Sequence, residues 1–212
     1  MAKRYFITGS GLVIFLIVLV LFVRLMRGTA SIAPYENIKI KGPQNAPVHL
    51  IVYSDFQCPA CKHAVAPIEE LRKQFEGSLK VEFRHFPLER PHKWALTAAT
   101  FAQCAAEQNK FWEFHDLLFE NQDIWSKALE PLPIFAGMIQ QLGLNTEQIE
   151  ACIQNPGTLA LIHKEYSLGS KQSVQSTPTI FINGQALIGA LQLKEKGPRI
   201  VLEELKKNRK TS

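Results

Sequence analysis

The chain has 212 residues, enough for one sizeable core, and 46% hydrophobic against 20% charged residues excludes a disordered chain. Its formal charge of +5 is lopsided. Lys3, Arg4, Arg24 and Arg27 stand in residues 1–30 without any acid, which leaves +1 for the other 182 residues. That remainder lacks the basic face a nucleic-acid binder needs, so nucleic acid is excluded as a partner.

Residues 1–30 read as an export element. After Lys3 and Arg4, the nineteen residues Tyr5–Val23 carry no charge, and Leu12–Val23 is an unbroken apolar run of twelve. A cleaved signal has an apolar region of about 7–15 residues and a spanning helix needs about 20, so the run lies between the two. Arg24 and Arg27 separate it from the small residues Gly28-Thr29-Ala30. The expectation is therefore an uncleaved transmembrane anchor, with a cleaved signal as the alternative. Either one carries the rest of the chain into the cell envelope, facing the periplasm, where disulfides persist.

Residues 31–47, with Pro34, Gly42, Pro43 and Pro47, read as a linker. The domain proper is expected over 48–212. Val48–Phe56 is β-branched and aromatic, the pattern of a strand buried on both faces. Cys58-Pro59 follows and opens a helical pattern through Phe75, proline being favourable at a first helical position. Leu79–Leu88 alternates as a second strand and stops at Pro87. Residues 91–174 are helical in pattern. Within them Asn145 and Gln148 make a capping-box-like start, with Leu144 and Ile149 as a hydrophobic staple. Ser176-Thr177-Pro178 breaks the pattern. Thr179–Ile182 and Gln185–Ile188 then flank Asn183-Gly184, the dipeptide of a two-residue hairpin turn. A last amphipathic helix covers about Leu191–Lys207. This order, β-α-β, a helical block, a β-hairpin and a helix, is that of an α/β thioredoxin-like fold interrupted by a helical insertion, preceded here by the N-terminal hydrophobic helix.

The four cysteines are Cys58, Cys61, Cys104 and Cys152, and on paper they allow three pairings. Cys58 and Cys61 lie within one helical turn, which leaves Cys104 and Cys152 for each other. A sulfur at a helix N-terminus faces unpaired N–H groups and the positive end of the helix dipole, and both favour thiolate. Cys58 is so placed, and Cys61 lies one turn further in. An accessible low-pKa sulfur beside a resolving one is what thiol–disulfide exchange requires. Pro59 and Ala60 form an uncharged active-site turn, so the tuning of Cys58 falls to the helix end, with Lys62 and His63 as cationic neighbours. No second CxxC accompanies the pair, so zinc is not expected. No cofactor is expected either.

Thr177-Pro178 offers a main-chain edge for an extended substrate; from spacing alone both proline isomers stay open. Cys104 and Cys152 read as a structural bridge, against the alternatives of a second redox pair or two buried thiols. His115 reads as a packing residue rather than a catalyst. No buried acid can be placed near Cys61, since Asp55 stands only at the end of its strand and Glu82 points outward in the alternation.

These segments resemble a known family. Ser54-Asp55-Phe56-Gln57-Cys58-Pro59-Ala60-Cys61, Arg84-His85-Phe86-Pro87-Leu88, Lys110-Phe111-Trp112-Glu113-Phe114-His115-Asp116 and Thr177-Pro178-Thr179-Ile180-Phe181-Ile182-Asn183-Gly184 are similar, in order, to the DsbA-like thioredoxin-fold oxidoreductases of bacterial envelopes. The resemblance implies that Cys58 attacks, Cys61 resolves, and Pro178 is cis behind Thr177. It departs from the best-known oxidases in carrying Pro-Ala rather than Pro-His between the cysteines. The expected function is a thiol–disulfide oxidoreductase acting on cysteines of exported proteins, with disulfide formation as the first direction and reduction as the second. A membrane redox partner is expected, either a quinone-linked reoxidase or an electron donor. The protein is expected to be a monomer, since the linker is too short for a dimerisation region. A non-catalytic peptide-binding module and a glutathione-dependent transferase are the readings from other classes, and the intact cysteine pair opposes both.

Overall fold

The computed structural model describes residues 39–211. The expected hydrophobic helix of residues 1–30 and the first part of the expected linker lie outside the described residues. Among those described, no helix is long and apolar enough to cross a membrane.

The elements in order are β1 (Ile40–Lys41), β2 (Val48–Ser54), α1 (Pro59–Gln74), β3 (Leu79–His85), α2 (Ala95–Glu107), α3 (Phe111–Glu120), α4 (Gln122–Trp125), α5 (Leu132–Gln141), α6 (Thr146–Gln154), α7 (Pro156–Lys171), β4 (Thr179–Ile182), β5 (Gln185–Ile188) and α8 (Gly189–Thr211). The sheet runs β1-β3-β2-β4-β5. The β2–β3 pair is parallel, joined through α1, and the remaining pairs are antiparallel. The mixed α/β thioredoxin-like architecture thus stands as the element order anticipated.

Period-two alternation sorts the residues of β2 onto two faces. Val48, Leu50 and Val52 enter the main core with Val81 and Phe83 of β3, Ile180 and Ile182 of β4, and apolar residues of α1 and α8. Tyr53 and Ile51 face the other way and pack with Phe86, Val174 and Phe181. A central strand needs apolar side chains on both faces when helices cover both. Here α7 covers the second face so closely that a Cβ on Gly169 would lie 2.8 Å from the Phe86 ring and 2.9 Å from that of Tyr53.

Two features differ from the sequence reading. Ile40–Lys41, inside the segment read as linker, forms an edge strand with Ile40 opposite Glu82. Glu82 does not stand free on an outward face: it pairs with His49 (2.8 Å) and Arg84 (2.6 Å). The hairpin turn follows its dipeptide, with Asn183 at φ 43° and Gly184 at φ 88°, the left-handed pair a tight two-residue turn demands. Asn145 caps α6 by accepting from the Gln148 N–H (2.8 Å).

Candidate active site

The site forms where β2 leaves the sheet. The Asp55 carboxylate accepts from the Gln57 N–H (2.8 Å), and the Asp55 carbonyl accepts from the Cys58 N–H (3.1 Å). These bonds turn the chain into α1. Cys58 is the N-cap residue with extended backbone (φ −75°, ψ 120°), and Pro59 occupies the first turn, where its missing N–H costs nothing. The Cys58 side chain makes no capping bond, so its sulfur is left for chemistry. Neither Cys58 nor Cys61 is in a disulfide.

The two sulfurs have opposite environments. Cys58 is 8% exposed and Cys61 2%. A hydrogen bond from Cys61, together with the Thr177 side chain and the backbone N–H groups of Cys61 and Ala60, lowers the Cys58 pKa from 9.0 to about 5 against the opposing effect of burial. Burial pushes the Cys61 thiol well up, and the neighbouring Cys58 pushes it further. The Asp55 N–H points at the Cys61 sulfur (3.4 Å).

From the other side of the sheet's end comes Thr177, whose carbonyl accepts from the Cys58 thiol (3.4 Å). The Thr177–Pro178 peptide bond is cis. The Thr177 hydroxyl is buried and has no hydrogen-bond partner among the described residues, so a thiolate at Cys58 is the acceptor it can turn toward. Cys58, Cys61, Thr177 and Pro178 are therefore gathered at one corner. Cys104 of α2 and Cys152 of α6 are joined by a disulfide with Cα atoms 5.7 Å apart.

The helical insertion supports that corner in ways the sequence did not signal. Gln122 of α4 is buried and donates through its side-chain amide to the carbonyls of Phe56 (2.7 Å) and Cys58 (3.0 Å). Gln57 accepts from the Trp94 N–H (2.6 Å) and donates to the Ser126 carbonyl (3.1 Å). Asp55, fully buried, also accepts from the Leu88 N–H (2.9 Å) and meets His92 (2.7 Å). Its carboxylate is thus engaged with the loop after β3. Lys62, expected to stabilise Cys58, instead pairs with Asp123 of α4 (2.6 Å). Behind Cys61 a cavity of about 480 Å³ opens between α1, the sheet and α3. His115 lines it while packing among the aromatic rings of the core.

Residues 36–198 match a family model described as thioredoxin, and the chain belongs to that family. Its fold is similar to those of solved BdbD and DsbA structures. BdbD from Bacillus subtilis superposes with a TM-score of 0.70 at 22% identity, over 79% of this chain and 92% of that one. Wolbachia pipientis alpha-DsbA1 does so with a TM-score of 0.71 at 21% identity, over 82% and 94%. In sequence the chain is 34% identical over 146 residues to a protein named Na(+)/H(+) antiporter NhaA 3 from Salinispora tropica, covering 69% of this chain and 22% of that protein. A Mycolicibacterium vanbaalenii protein of similar name is 33% identical over 75% of this chain and 24% of its own length. The chain spans about a quarter of the length of the curated relatives it matches.

Proposed function

We propose that this chain is a disulfide-forming oxidase of the cell envelope, in which Cys58 is the attacking and Cys61 the resolving cysteine. The observation that carries the direction is the lowered pKa of Cys58. A sulfur ionised at neutral pH stabilises the reduced pair, and a stabilised reduced form makes the disulfide a stronger oxidant. In the oxidised state a substrate thiolate attacks the Cys58 sulfur, the Cys58–Cys61 bond breaks, and Cys61 leaves with the electron pair. A second substrate thiolate then attacks the substrate sulfur of the mixed disulfide and releases Cys58 as thiolate. The edge at Thr177 and Pro178 receives the substrate as an added strand. The substrates are cysteine-containing exported proteins. A membrane partner removes the electrons, residues 1–30 tether the chain to the membrane, and the protein works as a monomer.

A second reading, reduction, is favoured by the uncharged Pro59-Ala60 turn, which adds no positive charge beside Cys58. The equilibrium potential of the pair against glutathione decides between the two. A value at or above about −150 mV supports oxidation, and one near about −250 mV supports reduction. Cys58→Ser is expected to abolish exchange with a model dithiol, whereas the Cys104→Ser, Cys152→Ser double variant keeps most of it. Equal loss in both overturns the assignment.

A further inference from the structure

His115 is buried in an aromatic cluster, its ring centroid 4.9 Å from that of Phe119 and 5.4 Å from that of Phe83. A fifth phenylalanine, beside Phe56, Phe83, Phe111 and Phe119, would satisfy such a cluster. The imidazole is instead held by a carboxylate, Nδ1 lying 2.7 Å from Oδ1 of Asp116. An Nδ1–H given to a carboxylate leaves Nε2 unprotonated and free to accept. No described residue hydrogen-bonds Nε2, and the ring borders the same cavity as Cys61. About 10–15 Å³ admits one water, so a space of about 480 Å³ admits a chain of them.

We propose that His115, oriented by Asp116, is the proton relay of Cys61, exchanging its proton through water in this cavity. The inference rests on the reading of Cys61 as the resolving cysteine. When Cys61 resolves a mixed disulfide, its S–H proton passes by way of water to Nε2. The Cys61 thiolate then attacks the Cys58 sulfur, the Cys58–substrate bond breaks, and the substrate sulfur departs as a thiolate with the electron pair. When an incoming thiolate opens the Cys58–Cys61 bond, Cys61 leaves as thiolate and the proton returns by the same route. The charged and titratable groups around the ring are Asp116 and Glu120 on its own helix, Lys41 from β1 and His85 from β3. Lys62 and Glu69 face the cavity from α1. Burial first, opposed by Asp116 and aided by Lys41, keeps the His115 pKa below 6.5. The ring is therefore a neutral acceptor across the neutral range.

The test mixes reduced protein with dithiobis-nitrobenzoate and follows released thionitrobenzoate by stopped flow. The first phase reports attack by Cys58 and the second reports resolution by Cys61. In the unmodified protein the second phase is expected to be nearly flat between about pH 7 and pH 9. In His115→Gln it is expected to fall by about tenfold or more at pH 7, as loss of a general base does. It then climbs about tenfold per pH unit with hydroxide and rejoins the unmodified rate in alkali. Asp116→Asn, a change at a half-exposed position outside the aromatic cluster, is expected to shift the profile the same way by a smaller factor. The first phase stays unchanged in both variants. A second phase that keeps its pH profile, or drops equally at every pH, overturns the relay while leaving Cys58 as the nucleophile. Absence of the first phase in the unmodified protein overturns the assignment of Cys58, and the relay with it.

Discussion

Cys58 and Cys61 share one turn of α1 and are pushed in opposite directions by it. The N-cap position exposes Cys58 to backbone N–H donors, while Cys61 faces the core. The folded pKa of Cys58, about 5, lies below the 9.0 of an unperturbed thiol. Its ionisation therefore stabilises the reduced protein fully only above the unfolded value, and that contribution fades as pH falls toward 5. The oxidised protein has no such term. Melting curves of both forms are expected to show the advantage of the reduced form shrinking from pH 8 to pH 5 and vanishing below it. An advantage constant over that range would contradict the assigned pKa. Cys61, raised, subtracts stability only at more alkaline pH. Gln122→Ala strands the buried Phe56 carbonyl, which has no other hydrogen-bond partner among the described residues, at a cost of about 1–3 kcal/mol in chemical denaturation. The four residues at the corner were visible because their chemistry leaves a spacing: two cysteines one turn apart, and a proline before a strand. The tethering bonds of Gln57, Gln122 and Asp55 were not, because an amide or carboxylate that bonds main-chain atoms of distant segments has no local pattern.

At the scale of elements, the sequence carried most where periodicity was long or punctuation strong. The strands Thr179–Ile182 and Gln185–Ile188 stand where the Asn-Gly dipeptide put them, and the helix expected through Phe75 ends at Gln74. The edge strand β1 escaped because two residues cannot display an alternation, and the prolines and glycine around it read as linker. The division of residues 91–174 into six helices was legible only as a block, since short turns between helices leave the 3.6-residue pattern almost unbroken. Gly169 of α7 sits where a methyl group would enter the Phe86 and Tyr53 rings. Gly169→Ala is expected to destabilise by about 1–3 kcal/mol, helix propensity notwithstanding, because overpacking at a rigid contact outweighs the roughly 1 kcal/mol gained over glycine. The Cys104–Cys152 bridge joins α2 to α6 across a sequence separation of 48. Closing such a loop is worth about 4 kcal/mol in the chain-entropy model. The double serine variant should lose an amount of that order in urea titration while retaining exchange.

For the described domain as a whole, a buried ion pair ties the chain ahead of β1 to α7. Lys39 and Glu165 are in contact; Lys39 also donates to Gln103 of α2 (3.1 Å), and Glu165 accepts from the His85 N–H (2.7 Å). Four segments distant in sequence, the chain ahead of β1, β3, α2 and α7, thus share one polar node inside an apolar core. Lys39→Met leaves the Glu165 carboxylate without its cation and is expected to cost about 3–5 kcal/mol, measured by equilibrium unfolding. A loss below about 1 kcal/mol would mean that the node is replaceable.

Gln57 has one consequence for the whole domain. It is the residue immediately before Cys58, and both ends of its amide are occupied, one by the start of α2 and the other by the segment after α4. Gln57→Ala would spare every sheet pairing yet cut both tethers. The sheet would keep its pairing while the cysteine turn slackened, so thiol reactivity would decline well before the melting temperature did.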